Sequence, residues 1–543
     1  MKKQRLLAIS AVAALTLTSV SCSYGYDTSK GEKESSSKAD KKDDGEKGTT
    51  NFDYETADVE AFNEEVEKLL DLIKGSGNEK EIQDCIDSLI ETTNSASDAM
   101  GYSGVAQNLD WYDSELEEAY DSDCEALYVM INGLGYAFSK GYRSDEYSAI
   151  FEPYIYDEEL LEYFVQPGMS LRRVEGYASV DYHVSDEVLD DYYDIAYDQD
   201  LDDDEKNLKC AEVYLEILSQ YEPESFYDGF HRDYTPEEIA ELSQYVKETL
   251  MPIQDVLADN FHDNKYSEDV FDDPVLCDEP FELIRDYSAR LSADIEASAD
   301  KINDEKLYTV GSGSDSYTGS YTVDLPLNNS ALVYVYSDDT YFDLQTCIHE
   351  FGHFHSSFYD DTSAYMTMTN TDVAEIQSQG MELLFMQFYD DIYGDQADAM
   401  KLMKFYDMAE VIVSSFLIGE FEYTALTKAE DMTPEDVIDL YEDIMGEYAE
   451  GYPFYYVSHM FEQPGYYVSY GVSALAALDM LDDCINAPDK ALEKYEKISK
   501  VPANDINSTF RSSLSKCGFA DVLTKDYIDE IAAELEKISN DMS

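Results

Sequence analysis

The segment His349-Glu350-Phe351-Gly352-His353 holds the residues best suited to chemistry in this chain. If it is helical, two histidines four apart lie about 40° apart around the axis and share a face. Both imidazoles then reach one metal ion, and zinc is the ion this spacing suits. Glu350 falls about 100° round from His349, beside the ion rather than on it. A carboxylate there can take a proton from a water that the ion polarises. The chain has only seven histidines, so two at this spacing with a glutamate between them carry information. The plainer alternative is a pair of surface histidines on a helix.

Two histidines need at least one further protein ligand. Glu375 is the candidate, in the helical-looking segment Ala374-Glu375-Ile376-Gln377-Ser378-Gln379-Gly380-Met381-Glu382. A His, His, Glu set leaves a fourth position open for water, as a catalytic zinc site requires. Glu382 lies two turns further along the same face, where it can orient a ligand from outside the coordination sphere. The chain is rich in acidic residues, so position alone does not single Glu375 out.

A second constellation runs His459-Met460-Phe461-Glu462-Gln463-Pro464-Gly465-Tyr466-Tyr467-Val468-Ser469-Tyr470-Gly471. Pro464-Gly465 predicts a turn. Tyr467 and Tyr470 then share one face of the following helix, and Tyr466 points to another. Imidazole and phenol groups can donate to the oxyanion that develops on an attacked carbonyl. His459, Tyr467 and Tyr470 are the candidates for that role. The plainer alternative is a histidine satisfied inside an aromatic core.

The elements that must position these groups read as mostly helical. Val59, Phe62, Val66, Leu69, Leu70 and Ile73 follow a 3.6-residue period, and Gly75-Ser76-Gly77-Asn78 stops that helix. Amphipathic stretches continue to about residue 300, punctuated by Pro153, Pro167, Pro223, Pro236 and Pro252. No internal repeat stands out. The 47 tyrosines, against one tryptophan, are spread through these stretches and read as packing. The texture changes at Leu307. Gly311-Ser312-Gly313-Ser314 and Tyr317-Thr318-Gly319-Ser320 are loose and glycine-rich. Tyr321-Thr322-Val323 and Ala331-Leu332-Val333-Tyr334-Val335-Tyr336 read as short strands, so a small sheet precedes the metal helix. After Phe358 the pattern is helical again, to about residue 538.

The net charge is -82 and the pI about 4.1. Phosphate backbones would be repelled, which excludes nucleic acid as a partner. Binding to anionic lipid through charge is excluded likewise. The surplus reads as a solvated surface; the sharper alternative is an acidic cleft that favours cationic substrates. Residues 1–21 read as a signal peptide, with basic Lys2, Lys3 and Arg5 followed by a short apolar run from Leu6 to Leu17. Ser19-Val20-Ser21-Cys22 resembles a bacterial lipoprotein processing box, which would lipidate Cys22 and place the protein on the cell surface. Ordinary signal-peptidase cleavage would instead release it. Residues 22–55 are polar and read as a flexible tether. Residues 56–300 form an N-terminal helical region and 301–543 the region that holds the metal helix. The chain has eight cysteines: Cys22, Cys85, Cys124, Cys210, Cys277, Cys347, Cys484 and Cys517. Beyond Cys22 they are scattered without metal-ligand spacing and read as mostly free, buried thiols.

The metal helix, the Glu375 segment and the His459 to Gly471 segment, taken in order, resemble oligoendopeptidase F and its relatives in the thimet oligopeptidase family of zinc metallopeptidases. Leu344-Gln345-Thr346-Cys347-Ile348 and the upstream Leu325-Pro326 share the likeness, which covers roughly residues 305 to 535. The region to about residue 300 shows helical texture without an alignable motif. The resemblance implies a large, mostly α, two-lobed fold with a deep channel and a small β-sheet beside the zinc helix. It implies one Zn2+ held by His349, His353 and Glu375, with Glu350 as the base. His459, Tyr467 and Tyr470 would contact the substrate or stabilise the transition state. The implied substrates are short oligopeptides, cut internally. Two rivals are an exopeptidase on the same scaffold and a non-catalytic peptide-binding surface lipoprotein. An intact Glu350 argues against the latter, since binding alone needs no base.

Overall fold

The computed structural model describes residues 54–542, apart from 55, 76, 156–163, 165–168, 172–185, 199, 264–279, 314, 338–341 and 368. The expected signal peptide, Cys22, nearly all of the expected tether, and Cys277 therefore lie outside the described residues. Among those described, no helix is long and apolar enough to cross a membrane. The fold is large and mostly helical, with one small sheet.

Helix α1 (Val59–Gly75) buries Phe62, Val66, Leu69 and Leu70, the stripe that its periodicity marks. Asn78 opens α2 (Glu79–Leu109) by accepting from the Glu81 N–H at 3.0 Å. Asp113 opens α3 (Ser114–Tyr142) by accepting from Glu115 at 2.9 Å. Such caps satisfy N–H groups that a helix start leaves unpaired. The three helices share a core that includes Phe62, Ile86, Leu127 and Phe138. A second, larger core runs from Val188 to Ile538.

Pro236 starts helix α4 (Pro236–Asp263), where a missing N–H is harmless. Pro252 departs from the sequence expectation: it does not separate two helices but lies inside α4. A proline there removes one backbone bond and crowds the preceding turn. The helix persists because Ile239, Val246, Leu250, Ile253, Leu257 and Phe261 are buried along its length. Their principal partner is the long helix Ala397–Lys428.

The sheet has the order β1-β3-β2, with β1 (Tyr308–Gly311) parallel and β2 (Tyr321–Leu325) antiparallel to the central β3 (Ser330–Tyr336). Strand β3 is buried along nearly its whole length, as expected of a central strand. Edge strand β2 alternates. Tyr321, Val323 and Leu325 pack with Val105 and Leu109 of α2, while Thr322 and Asp324 take the opposite face.

Helix α5 (Phe342–Ser357) follows the sheet and carries His349, Glu350 and His353. Asn370 caps α6 (Thr371–Phe385), which carries Glu375 and Glu382, by accepting from the Val373 N–H at 3.1 Å. The long helix Ala397–Lys428 is α7, and α8 (Val468–Ala477) packs against both α6 and α7. Cys85, Cys124, Cys210, Cys484 and Cys517 are free thiols, and all but Cys124 are buried, as is Cys347.

One residue sets how closely α5 and α6 approach. A Cβ on Gly352 would stand 2.6 Å from Ser378 Cα and 2.8 Å from the Gln377 carbonyl oxygen. Those are backbone atoms, so no side-chain rotation relieves the clash. Gly352→Ala is therefore expected to force the helices apart and to destabilise the fold by about 1–3 kcal/mol, as overpacking does. Denaturant unfolding measures this; unchanged stability would mean that the crossing is not tight.

Candidate metal centre

The close crossing brings His349, His353 and Glu375 together, with one ligand atom from each lying within 4.8 Å of the others. His349 Nε2 is 3.3 Å and His353 Nε2 3.9 Å from Glu375 Oε2. Ligand atoms on a tetrahedral zinc ion stand roughly 3.3 Å apart; the first distance matches and the second is wider. The opposite nitrogen of His349, Nδ1, lies 2.8 Å from Glu382 Oε1. A carboxylate can only accept, so Nδ1 carries the proton, and in the neutral ring Nε2 is left with a lone pair. In that form the lone pair faces a carboxylate oxygen, an arrangement that a cation between them would satisfy. The donor set thus fits a zinc ion. Ser378 Oγ donates to Glu375 Oε2 at 3.2 Å and fixes the carboxylate.

Electrostatics follow from burial. Burial pushes His353 down to about 4, so its imidazole is neutral, the form that a metal ligand requires. Burial alone would raise Glu375, but its neighbours His349, His353 and Ser378 bring it below its ordinary value. Glu350 lines the same cavity as His353 and Glu375 but lies outside the donor set. Burial pushes its carboxyl up to about 7, against the opposing pull of His349 and of a 2.7 Å hydrogen bond from Thr322 Oγ1 to Oε2. Glu350, His353, Glu375 and Thr322 line one cavity, whose wall also includes Asp324, Asp360 and Asn504.

The expected turn at Pro464-Gly465 is present, with Gly465 at φ +87°. It brings His459 against three tyrosines: ring centroids lie 5.4 Å from Tyr466, 5.4 Å from Tyr467 and 5.7 Å from Tyr470. His459 Nε2 is 3.3 Å from Tyr470 Oη. Burial holds the imidazole neutral, down to about 3. One expectation is corrected. Tyr466 does not face away; it touches His459 and lines the cavity with Glu350 and Glu375. Helical spacing does not apply to Tyr466, because α8 begins only at Val468.

Residues without a motif hold these pieces together. Arg232, wholly buried, donates from Nε to both oxygens of Asp372, from Nη1 to the Gly465 carbonyl at 2.7 Å and from Nη2 to Ser469 Oγ at 2.7 Å. Asp372 also accepts from Tyr234 and Ser469. Glu422 accepts from the Gly465 N–H at 2.8 Å. One guanidinium thus ties the start of α6, three residues before Glu375, to the tyrosine-bearing turn. No signal local to Arg232 marks this role. Lys404 had a signal, since it interrupts the apolar stripe of Met400, Met408 and Val411 on α7. Its ammonium donates to Glu382 Oε2. Breaking a buried pair strands a charge, at a cost of about 3–5 kcal/mol. Arg232→Met should lower stability by that order, while Ser469→Ala, which removes one arm, should cost about 1 kcal/mol. Chemical denaturation of both variants checks the ranking; equal effects would mean that the guanidinium is not the hub.

No family model matches the chain, and no curated protein matches it by sequence. Solved structures match over nearly its whole length. One, assigned as an oligoendopeptidase F, superposes with a TM-score of 0.70 at 13% identity, covering 90% of this chain and 98% of the other. PZ peptidase A, solved with an inhibitor, gives 0.68 at 13% identity over 91% and 100%. A Bacillus anthracis chain also assigned as oligoendopeptidase F gives 0.67 at 13% identity over 91% and 98%. At this identity the likeness speaks for architecture, and the chain has the oligoendopeptidase F fold.

Proposed function

We propose that this chain is a zinc-dependent endopeptidase that hydrolyses short oligopeptides. The observation that carries the reading is the convergence of His349, His353 and Glu375, with Glu350 beside them on the cavity that His353 and Glu375 also line. His349, His353 and Glu375 would hold the ion. Zinc bound there supplies Lewis acidity, polarising the scissile carbonyl and lowering the pKa of water. Glu350 takes the proton of the attacking water on its carboxylate and returns it to the leaving amine. Thr322 holds Glu350 Oε2, which fixes the carboxylate toward the cavity. Edge strand β2 pairs only with β3 among the described strands, so its far side can order an extended peptide backbone beside Glu350. His459, Tyr466, Tyr467 and Tyr470 supply donors for the developing oxyanion. The solved structures of the same fold that are named peptidases support the reaction class.

Substrate size follows from depth. His349 and Glu350 are almost completely buried, at 2% and 1% exposure, which favours a short extended peptide over the backbone of a folded protein. We further propose that Cys22 is lipidated and holds the enzyme outside the cell. Incorporation of a labelled fatty acid, lost in Cys22→Ala, tests that; a Cys22→Ala variant labelled as strongly as wild type would refute it.

Glu350→Gln should retain zinc and fold yet lose roughly 100- to 10,000-fold in turnover. Glu375→Ala should bind zinc weakly at low free metal, whereas His459→Ala and Tyr470→Phe should keep it. Tyr466→Phe should lower kcat by about 100-fold with little change in KM. Metal analysis and kinetics on one short internally cleaved peptide decide these points. Full turnover in Glu350→Gln, or full zinc in Glu375→Ala, would remove the reading.

A further inference from the structure

Glu382 is held on both sides. Its Oε1 lies 2.8 Å from His349 Nδ1, and its Oε2 accepts from the Lys404 ammonium of α7. Lys404 is buried to 2% exposure and also faces Asp407, one turn on. Ammonium, carboxylate and imidazole therefore stand in line across three helices and end at His349 Nε2, 3.3 Å from Glu375. A carboxylate anchored at one oxygen cannot swing, so its other oxygen stays on Nδ1. That bond fixes the ring tautomer which leaves Nε2 as a lone pair.

We propose that Lys404 is a positioning residue for the metal centre, acting through Glu382 to aim His349. The proposal rests on the metal-centre reading above. A purely structural ion pair would affect stability and leave metal affinity alone, so affinity is the readout. Zinc Kd is measured on the full-length apo protein by competition with a chromophoric chelator, for wild type, Lys404→Met, Glu382→Gln and the double variant. Partners behind a metal ligand typically contribute about 10- to 100-fold in affinity. Each single variant should weaken zinc by that range. The double variant should be no weaker than Glu382→Gln, because Lys404 has nothing left to act on.

Lys404→Met binding zinc as tightly as wild type would overturn the proposal, as would single effects that multiply in the double variant. If Lys404→Met strands Glu382 and does not fold, the double variant decides, since it removes both charges. Equality with Glu382→Gln supports the proposal; further weakening, or a double variant that does not fold, assigns Lys404 to the core instead. The metal-centre reading has its own control: wild type must bind one zinc that His349→Ala loses. Failure of that control sinks the reading itself, whereas equal affinity in wild type and Lys404→Met sinks only the role of Lys404.

Discussion

Burying three carboxylates side by side is the constraint on which the rest of this structure depends. Glu350, Glu375 and Glu382 are all nearly inaccessible, in a chain that already carries a large negative surplus. An uncompensated carboxylate in such surroundings costs several kcal/mol. Each is compensated differently. Glu382 has an ammonium on one side and an imidazole N–H on the other. Glu375 has two imidazoles and a serine. Glu350 has one threonine hydroxyl and the more distant influence of His349. The least compensated of the three is the one whose proton affinity burial raises most clearly, to about 7. A carboxyl poised near neutrality is what proton transfer needs. A cation among His349, His353 and Glu375 would complete the compensation of the whole group.

How much of this was legible in the sequence depends on how local the causes are. The pair of histidines and the glutamate between them follow from helix geometry within two turns, and the structure places them as that geometry demands. Strands β2 and β3 before α5 were legible because β-branched and aromatic residues cluster in short runs there, whereas β1, which runs into the glycine-rich stretch at Gly311, was not. Glu375 was harder, since acidic residues are everywhere. What selects it is a tertiary contact, Gly352 against Ser378 and Gln377. Thr322 and Arg232 were out of reach for the same reason: each meets its partner across a long stretch of chain. Tyr466 was misread because a helical wheel was extended into a turn. Pro252 was misread because burial along the whole of α4 outweighs the local penalty.

Helix α6 shows why pattern reading weakens toward the middle of this fold. Every residue from Thr371 to Phe385 except Ala374 is buried, so it has no solvent face to mark a period. Its polar side chains must be satisfied by neighbours rather than by water. Asp372 is met by Arg232, Tyr234 and Ser469. Gln377 donates to the carbonyls of Ile498 and Val501 at 3.0 and 2.8 Å, and Gln379 reaches the Tyr470 carbonyl. Each bond would be lost if the helix slid or turned, and a buried polar group left unpaired is costly. The same bonds therefore fix the rotation and the height of α6. Glu375 and Glu382 are set against α5 by that fixed register, not by any property of their own. Pre-organisation of the site is in this sense a by-product of satisfying a wholly buried polar helix.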